Sequence, residues 1–326
     1  MTTTRTRTAG RARRAAVAVV AVVGLALLAG CDPADTDAVP APSPTASESP
    51  APTAAPAAVT CDDATTSYAP DTGTTVTPGS TMAAIQERGA LRVGVSADTL
   101  RMGSRNPLTG QIGGFDIDVL HEVSRALFGD PDKLQFRVIT SGQRLDVLEN
   151  GDVDLVARTF TMNCDRWQSI AFSAEYLRAG QKVLVTRDSE AKGIEDLAGS
   201  RVCAPKGTTT LDRLAEYPDI TAVAADTHTA CLVLFQQGKV DAITGDDTVL
   251  AGFVAQDPYA KVVGEAFSAE PYGIGVPAEN VDMVRFVNAV LDQAKTDGTW
   301  EKLYDRWLSA LGPAPAPPPS EYGRTP

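Results

Sequence analysis

The stretch ARTFTMNCDRW, residues 157–167, sets two guanidinium groups, Arg158 and Arg166, around a run of hydroxyl-bearing residues. An arginine fork makes two charge-assisted hydrogen bonds to one carboxylate at once, so such a loop can hold an anion by shape as well as by charge. Two further clusters carry matching groups. PKGTTT, residues 205–210, brings Lys206, Gly207, Thr208 and Thr209 to the start of the helix-forming segment TLDRLAEY, where backbone N–H groups and hydroxyls favour an anion. TGDD, residues 244–247, offers the Asp246 carboxylate to a cation. Together these parts suit a small zwitterion, an α-amino acid: Arg166, Thr208 and Thr209 for its carboxylate, Asp246 and the carbonyl of Thr159 for its ammonium. Plainer roles stand beside these. Arg166 and Arg158 could each sit in a surface ion pair, and Asp246 could cap the helix that begins DTVLAGF.

Such clusters need a scaffold that brings them together. VLENGDVDLVART from Val147 and LFQQGKVDAITGDD from Leu234 are alike in kind, each a helix end, a turn at Gly151 or Gly238, and a short β-branched strand finishing in polar residues. Each has an earlier strand upstream, LRVGV at 91–95 and SRVCAP at 200–205. The pattern predicts one α/β plan built twice, with strands and helices alternating as parallel sheets require. In such sheets ligands gather at the carboxyl ends of strands, where the three polar clusters fall. The first lobe is expected over 61–177 and 273–312 and the second over 182–267. The chain would cross between them near residues 176–183 and 268–275. In GGFDIDVLHEVSRALF, Val119, Leu120, Val123 and Leu127 share one helical face and read as core. The stripe Trp300, Leu303, Tyr304, Trp307 and Leu308 reads the same way.

Outside the lobes, composition speaks of address rather than fold. Arg11, Arg13 and Arg14 precede the apolar run Ala15–Ala29, which is too short to span a bilayer and reads as an export signal. It ends in LLAGC, which resembles the lipobox of bacterial lipoproteins and makes Cys31 the expected lipid carrier after loss of residues 1–30. Residues 31–60, rich in Pro, Ala, Ser and Thr, predict a disordered tether with a reach of roughly 30 Å. The tail 313–326 is expected to be disordered for the same reason. The net charge of −12, with five arginines confined to the signal, makes nucleic acid a poor partner. Four cysteines follow Cys31, and an oxidising location favours two bridges among three connectivities, Cys203–Cys231 and Cys61–Cys164. His228 and Cys231 are three apart but lack a second ligand pair, so no metal or other cofactor is expected. GxSxG, HExxH and Walker patterns are absent, which argues against an enzyme.

Read in order, GFDID at 114–118, GDVDL at 151–155, TFTMxxxR at 159–166, KGTT at 206–209, VDAIxxDD at 240–247 and DGTWEKLYDRW at 297–307 resemble the solute-binding proteins of polar amino-acid ABC transporters. RNPLTG at 105–110 and NCDRW at 163–167 bring the chain nearest the glutamate- and glutamine-binding lipoproteins of GC-rich Gram-positive bacteria. The resemblance implies the two-lobed type II periplasmic-binding fold, a monomer lipid-anchored to the outer face of the cell membrane, and an ABC permease as partner. By the same resemblance Arg166 is the carboxylate clamp, Thr161 supports it, Thr159 gives its carbonyl to the ammonium, Thr208 and Thr209 grip the carboxylate from the second lobe, and Asp246 binds the ammonium. Arg158, with help from Lys206, is the expected partner of a ligand side-chain carboxylate or amide. Two alternatives share this fold: a lipoprotein that reports the amino acid to a membrane sensor, and a dehydratase-like enzyme.

Overall fold

The computed structural model describes residues 63–71 and 73–325. The export signal, Cys31 and the tether to residue 60 lie outside the described residues. Two sheets carry the architecture. In the first, the strands run in the spatial order Leu134–Val138, Leu91–Val95, Leu155–Val156, Gly275–Pro277, Ile170–Phe172. In the second the order is Thr221–Ala225, Arg201–Pro205, Ala242–Asp246, Leu177–Thr186, Ala260–Val263. The plan is indeed repeated, but each sheet is mixed. Val93 lies beside Phe136 and Leu155 in parallel register, whereas Gly275 runs antiparallel to Val156 and Phe172. Cys203 lies parallel to Val223 and Ile243, and Leu184 opposes Ile243 and Val262 antiparallel. The reversed strand in each sheet is one that has just crossed from the other lobe. A purely parallel reading misses it because the crossing sets its direction.

The inner strands of both sheets are covered on both faces, as largely parallel sheets require, while the edge strands Leu134–Val138 and Thr221–Ala225 are mostly exposed. Over the first sheet, Leu120 of helix Phe115–Phe128, Val287 of helix Val281–Thr296 and Trp300 of helix Thr299–Leu308 share one apolar cluster. Val147, Leu148, Phe160 and Phe172 form a second cluster in this lobe. The helical spacings hold: Val119, Leu120, Val123 and Leu127 are buried, as are Trp300, Tyr304 and Leu308. Trp300 also donates from Nε1 to the Tyr176 carbonyl at 2.6 Å, tying the last helix to the start of the crossing. In the second lobe Cys203 and Cys231 are bonded, joining a central strand to helix His228–Gln236 across a separation of 28 residues. A loop of that size corresponds to about 3–4 kcal/mol of stabilisation. The expected partner of Cys164, Cys61, lies outside the described residues.

The expected disorder of the tail is corrected. Glu321–Tyr322 pairs in parallel with Thr66–Ser67. Ser320 Oγ donates to Asp292 Oδ1 at 2.6 Å, Tyr322 Oη donates to Asp292 Oδ2 at 2.8 Å, and Lys295 Nζ donates to Ser320 Oγ at 2.8 Å. A proline-rich composition denies this segment a core of its own, but SEYGR at 320–324 finds polar partners on helix Val281–Thr296 and pairs with Thr66–Ser67 as a two-stranded sheet. Among the described residues no helix is long and apolar enough to cross a membrane.

Candidate functional site

Two strands link the lobes. Leu177–Thr186 leaves the first lobe and Ala269–Tyr272 returns, antiparallel, with Gly180 opposite Ala269 and Leu177 opposite Tyr272. Around this pair the polar clusters converge on a cavity lined by Arg144, Thr159, Thr161, Thr208, Thr209, Thr210, His228, Gly245 and Asp246. Its volume, ≈ 10 Å³, is room for about one water molecule, so the lobes are shut on each other. Two glycines of the second lobe permit that contact. A Cβ on Gly207 would fall 2.6 Å from Gly142 Cα, and one on Gly252 would fall 2.6 Å from the Leu100 carbonyl oxygen. Asp98 completes the closure by accepting from the Thr229 N–H at 3.1 Å, while its own carbonyl accepts from Thr229 Oγ1 at 3.2 Å.

Arg166 rides on the one-turn helix Cys164–Trp167, whose start is fixed by Asn163 Oδ1 accepting from the Arg166 N–H at 2.9 Å. The side chain is buried, not on the surface with Asp165. Its guanidinium donates to the Thr161 carbonyl and, at 3.4 Å, to the Gly207 carbonyl across the cleft. Arg144, which the sequence reading passed over, does more. It donates to the carbonyls of Ser141 at 2.8 Å, Thr159 at 2.9 Å and Gly207 at 2.7 Å. Both guanidiniums lie over the Phe160 ring, at 4.5 Å for Arg144 and 5.0 Å for Arg166. Burial pulls both below the usual arginine range; for Arg144 its neighbours Arg166 and Arg158 add to the effect, and for Arg166 Glu270 and other carboxylates oppose it.

The anionic side is built from the second lobe and the returning strand. Asp246 ends the strand Ala242–Asp246 and occupies the N-cap position of helix Asp247–Gln256 without a side-chain capping bond. Its Oδ2 accepts from Tyr272 Oη, and its Oδ1 is buried with no partner. Burial, reinforced by Glu270, pushes this carboxyl up to about 8. Glu270 Oε2 accepts from Thr161 Oγ1 at 2.8 Å and Thr209 Oγ1 at 2.7 Å, one hydroxyl from each lobe. His228 opens its helix facing the cavity; burial and the nearby Arg158 pull it down to about 3, so the ring is neutral.

The remaining expected residues fall in different places. Thr159 stands in the left-handed region at φ 42°, costly for a β-branched residue, and is held there by its N–H donating to Asp116 Oδ2 at 2.9 Å. Asp116 in turn accepts from Tyr176 Oη at 2.7 Å, and burial raises it to about 6. The Thr159 carbonyl accepts from Arg144 at 2.9 Å, and both residues line the cavity. Thr208 spends its oxygen within its own lobe, donating to the Pro205 carbonyl at 2.6 Å and accepting from the Leu211 N–H at 3.2 Å as the helix cap. Arg158 is neither outward nor on the cavity: it is buried, donates to the Ile139 carbonyl at 2.8 Å and to Ser141 Oγ, and lies 3.7 Å from Asp98. Lys206 is 61% exposed and paired with Asp226 at 2.7 Å, and it does not line the cavity. Among the described residues no cluster of His, Cys, Asp or Glu is arranged to hold a metal ion.

Of the residues missed, Arg144 follows the strand Leu134–Val138, so the rule that sites lie beyond strand ends could have found it. Glu270 and Tyr272 sit in an extended crossing segment that carries no such signal.

Two α/β lobes joined by a crossing strand pair, with a charged crevice shut between them, define a protein that encloses a small solute. The chain belongs to the bacterial extracellular solute-binding proteins, family 3, whose profile matches residues 91–310. It has the type II periplasmic-binding fold, and the family's role is binding outside the cytoplasm, not catalysis. The chain is 34% identical over 230 residues to the ABC transporter glutamine-binding protein GlnH of Bacillus subtilis, covering 70% of this chain and 84% of that one. It is 32% identical over 230 residues to the glutamate-binding protein GluB of Corynebacterium glutamicum, covering 67% and 78%. Among solved structures, a mutant of ArgBP from T. maritima superposes with a TM-score of 0.66 at 32% identity, covering 70% of this chain and 99% of that one.

Proposed function

We propose that this protein captures a polar amino acid, glutamate, aspartate or one of their amides, by closing its two lobes over it, and delivers it to an ABC importer. The observation that carries the reading is the unbonded Asp246 Oδ1, facing a cavity that Arg144 also lines and Arg166 adjoins. A buried acceptor without a donor is costly, and a ligand ammonium supplies one. The arginines then receive the ligand carboxylate in exchange for the Gly207 carbonyl they hold when the cleft is shut. Thr161 and Thr209 stand at the meeting of the lobes and would turn their hydroxyls from Glu270 to that carboxylate, while Thr159 offers its carbonyl to the ammonium.

Closure is a population shift: the ligand favours the state in which both lobes touch it. The likeness to glutamine- and glutamate-binding relatives supports the ligand class. The lipobox-like LLAGC supports anchoring to the outer face of the cell membrane through Cys31. Thermal-shift measurement against the twenty amino acids tests the ligand, since stabilisation follows affinity by mass action. Glutamate, aspartate or an amide leads; a lead by arginine or lysine overturns the reading. Loss of uptake on deletion separates import from sensing.

A further inference from the structure

The geometry points to the C-terminal segment 320–324 as a strap that positions Arg166 for solute, acting through Trp167. This rests on the proposed role of Arg166 as a carboxylate clamp. Trp167 is the neighbour of Arg166 on a helix of a single turn, so whatever fixes the indole fixes the guanidinium's base. Three sides of the indole are held. Its ring meets Phe172 at 5.5 Å and Tyr68 at 6.2 Å, both edge-on, and its Nε1 donates to the Ala64 carbonyl at 2.8 Å. The remaining contact comes from the end of the chain, where the Arg324 guanidinium lies 3.8 Å from the ring centroid.

Arg324 is itself tied to the incoming segment. Its Nε donates to the Thr66 carbonyl at 3.0 Å, its Nη2 donates to the Asp63 carbonyl at 3.0 Å, and the same nitrogen is 3.2 Å from Asp63 Oδ2. The strand pair Thr66–Ser67 with Glu321–Tyr322 and the Ser320 and Tyr322 bonds to Asp292 set the register that brings Arg324 there. The two ends of the folded body thus meet at the indole next to Arg166. A cation on an indole face is attractive in itself, and charge matters as well as packing. Tail residues remote from any ligand thereby become positioning residues for binding.

The test uses the full-length chain and three forms: wild type, Arg324→Ala and Arg324→Lys, with L-glutamate and L-glutamine as probes. Hydrogen exchange across residues 163–168 reports the strap without ligand, and calorimetry reports affinity. The expected result for Arg324→Ala is faster exchange in that segment and binding weakened roughly three- to tenfold, with most of both recovered in Arg324→Lys. Unchanged exchange in Arg324→Ala overturns the strap. Faster exchange with unchanged affinity overturns the positioning role. If neither probe binds wild type, glutamate and glutamine are ruled out as the ligand instead, and the exchange comparison alone decides the strap.

Discussion

The two sides of the cleft bury basic and acidic groups in the same unusual way. On the first lobe, Arg144 and Arg166 are buried and spend their hydrogen bonds on backbone carbonyls. Opposite them, Asp246 and Glu270 are buried and accept from hydroxyls, those of Tyr272 for one and of Thr161, Thr209 and Ser268 for the other. No ion pair within 4.0 Å joins either arginine to a carboxylate among the described residues; Arg158, at 3.7 Å from Asp98, lies off the cavity. Neutral dipoles offset part of the desolvation cost without cancelling the charge. The lesson of the difference is that the first lobe buries guanidiniums and the second a carboxyl that burial holds protonated until a cation arrives, so on the proposed reading a zwitterion draws on both lobes and neither alone completes the site.

The sharpest way to break this picture is Arg166→Ala. Removing one partner of a buried charged contact typically costs about 2–5 kcal/mol, so calorimetry is expected to show affinity for the best amino acid reduced at least tens of fold. Unchanged affinity would move the clamp to Arg144. Next comes the contact that lets the lobes meet. Gly207→Ala adds a Cβ 2.6 Å from Gly142 Cα at φ +69°, where the left-handed conformation alone costs an alanine roughly 1–2 kcal/mol. Small-angle scattering is expected to find this variant open with saturating amino acid, with affinity down about tenfold. A closed profile would mean the backbones can slide apart.

The pH dependence tests the anionic side. Asp246, raised to about 8 by burial and by Glu270, carries a proton in the shut protein at neutral pH. Its contribution to the shut form is therefore present below about 4, the ordinary aspartate range, and is lost as pH rises toward 8. A ligand ammonium needs the ionised form, so binding below pH 8 is expected to release a proton. Affinity then climbs with pH by at most about tenfold per unit. Calorimetry in buffers of different ionisation heat measures the proton, and Asp246→Asn should abolish the release. The smallest effect is expected for Lys206→Ala. With its ammonium exposed and paired to Asp226, affinity should stay within about twofold; a larger loss would bring Lys206 back into the site.

The repeated strand–helix plan and the polar ends of its strands were legible, because hydrophobic period and turn residues act locally, and the fold brings Thr161, Thr209 and Asp246 of those polar clusters to one cavity. Also legible were the core stripe at Trp300 and the pairing of Cys203 with Cys231. Arg158 was ambiguous for a physical reason: alternation along a strand says that neighbours point oppositely, not which one points in. What only tertiary structure decided was long-range. The crossing strands reverse direction within each sheet, Glu270 meets hydroxyls from both lobes, Gly207 meets Gly142, and the tail that composition marked as disordered finds Thr66, Asp292 and Trp167. Local sequence sets what each segment can form by itself; a contact between residues far apart in the chain depends on how the folded pieces are brought together, and no window of sequence contains that.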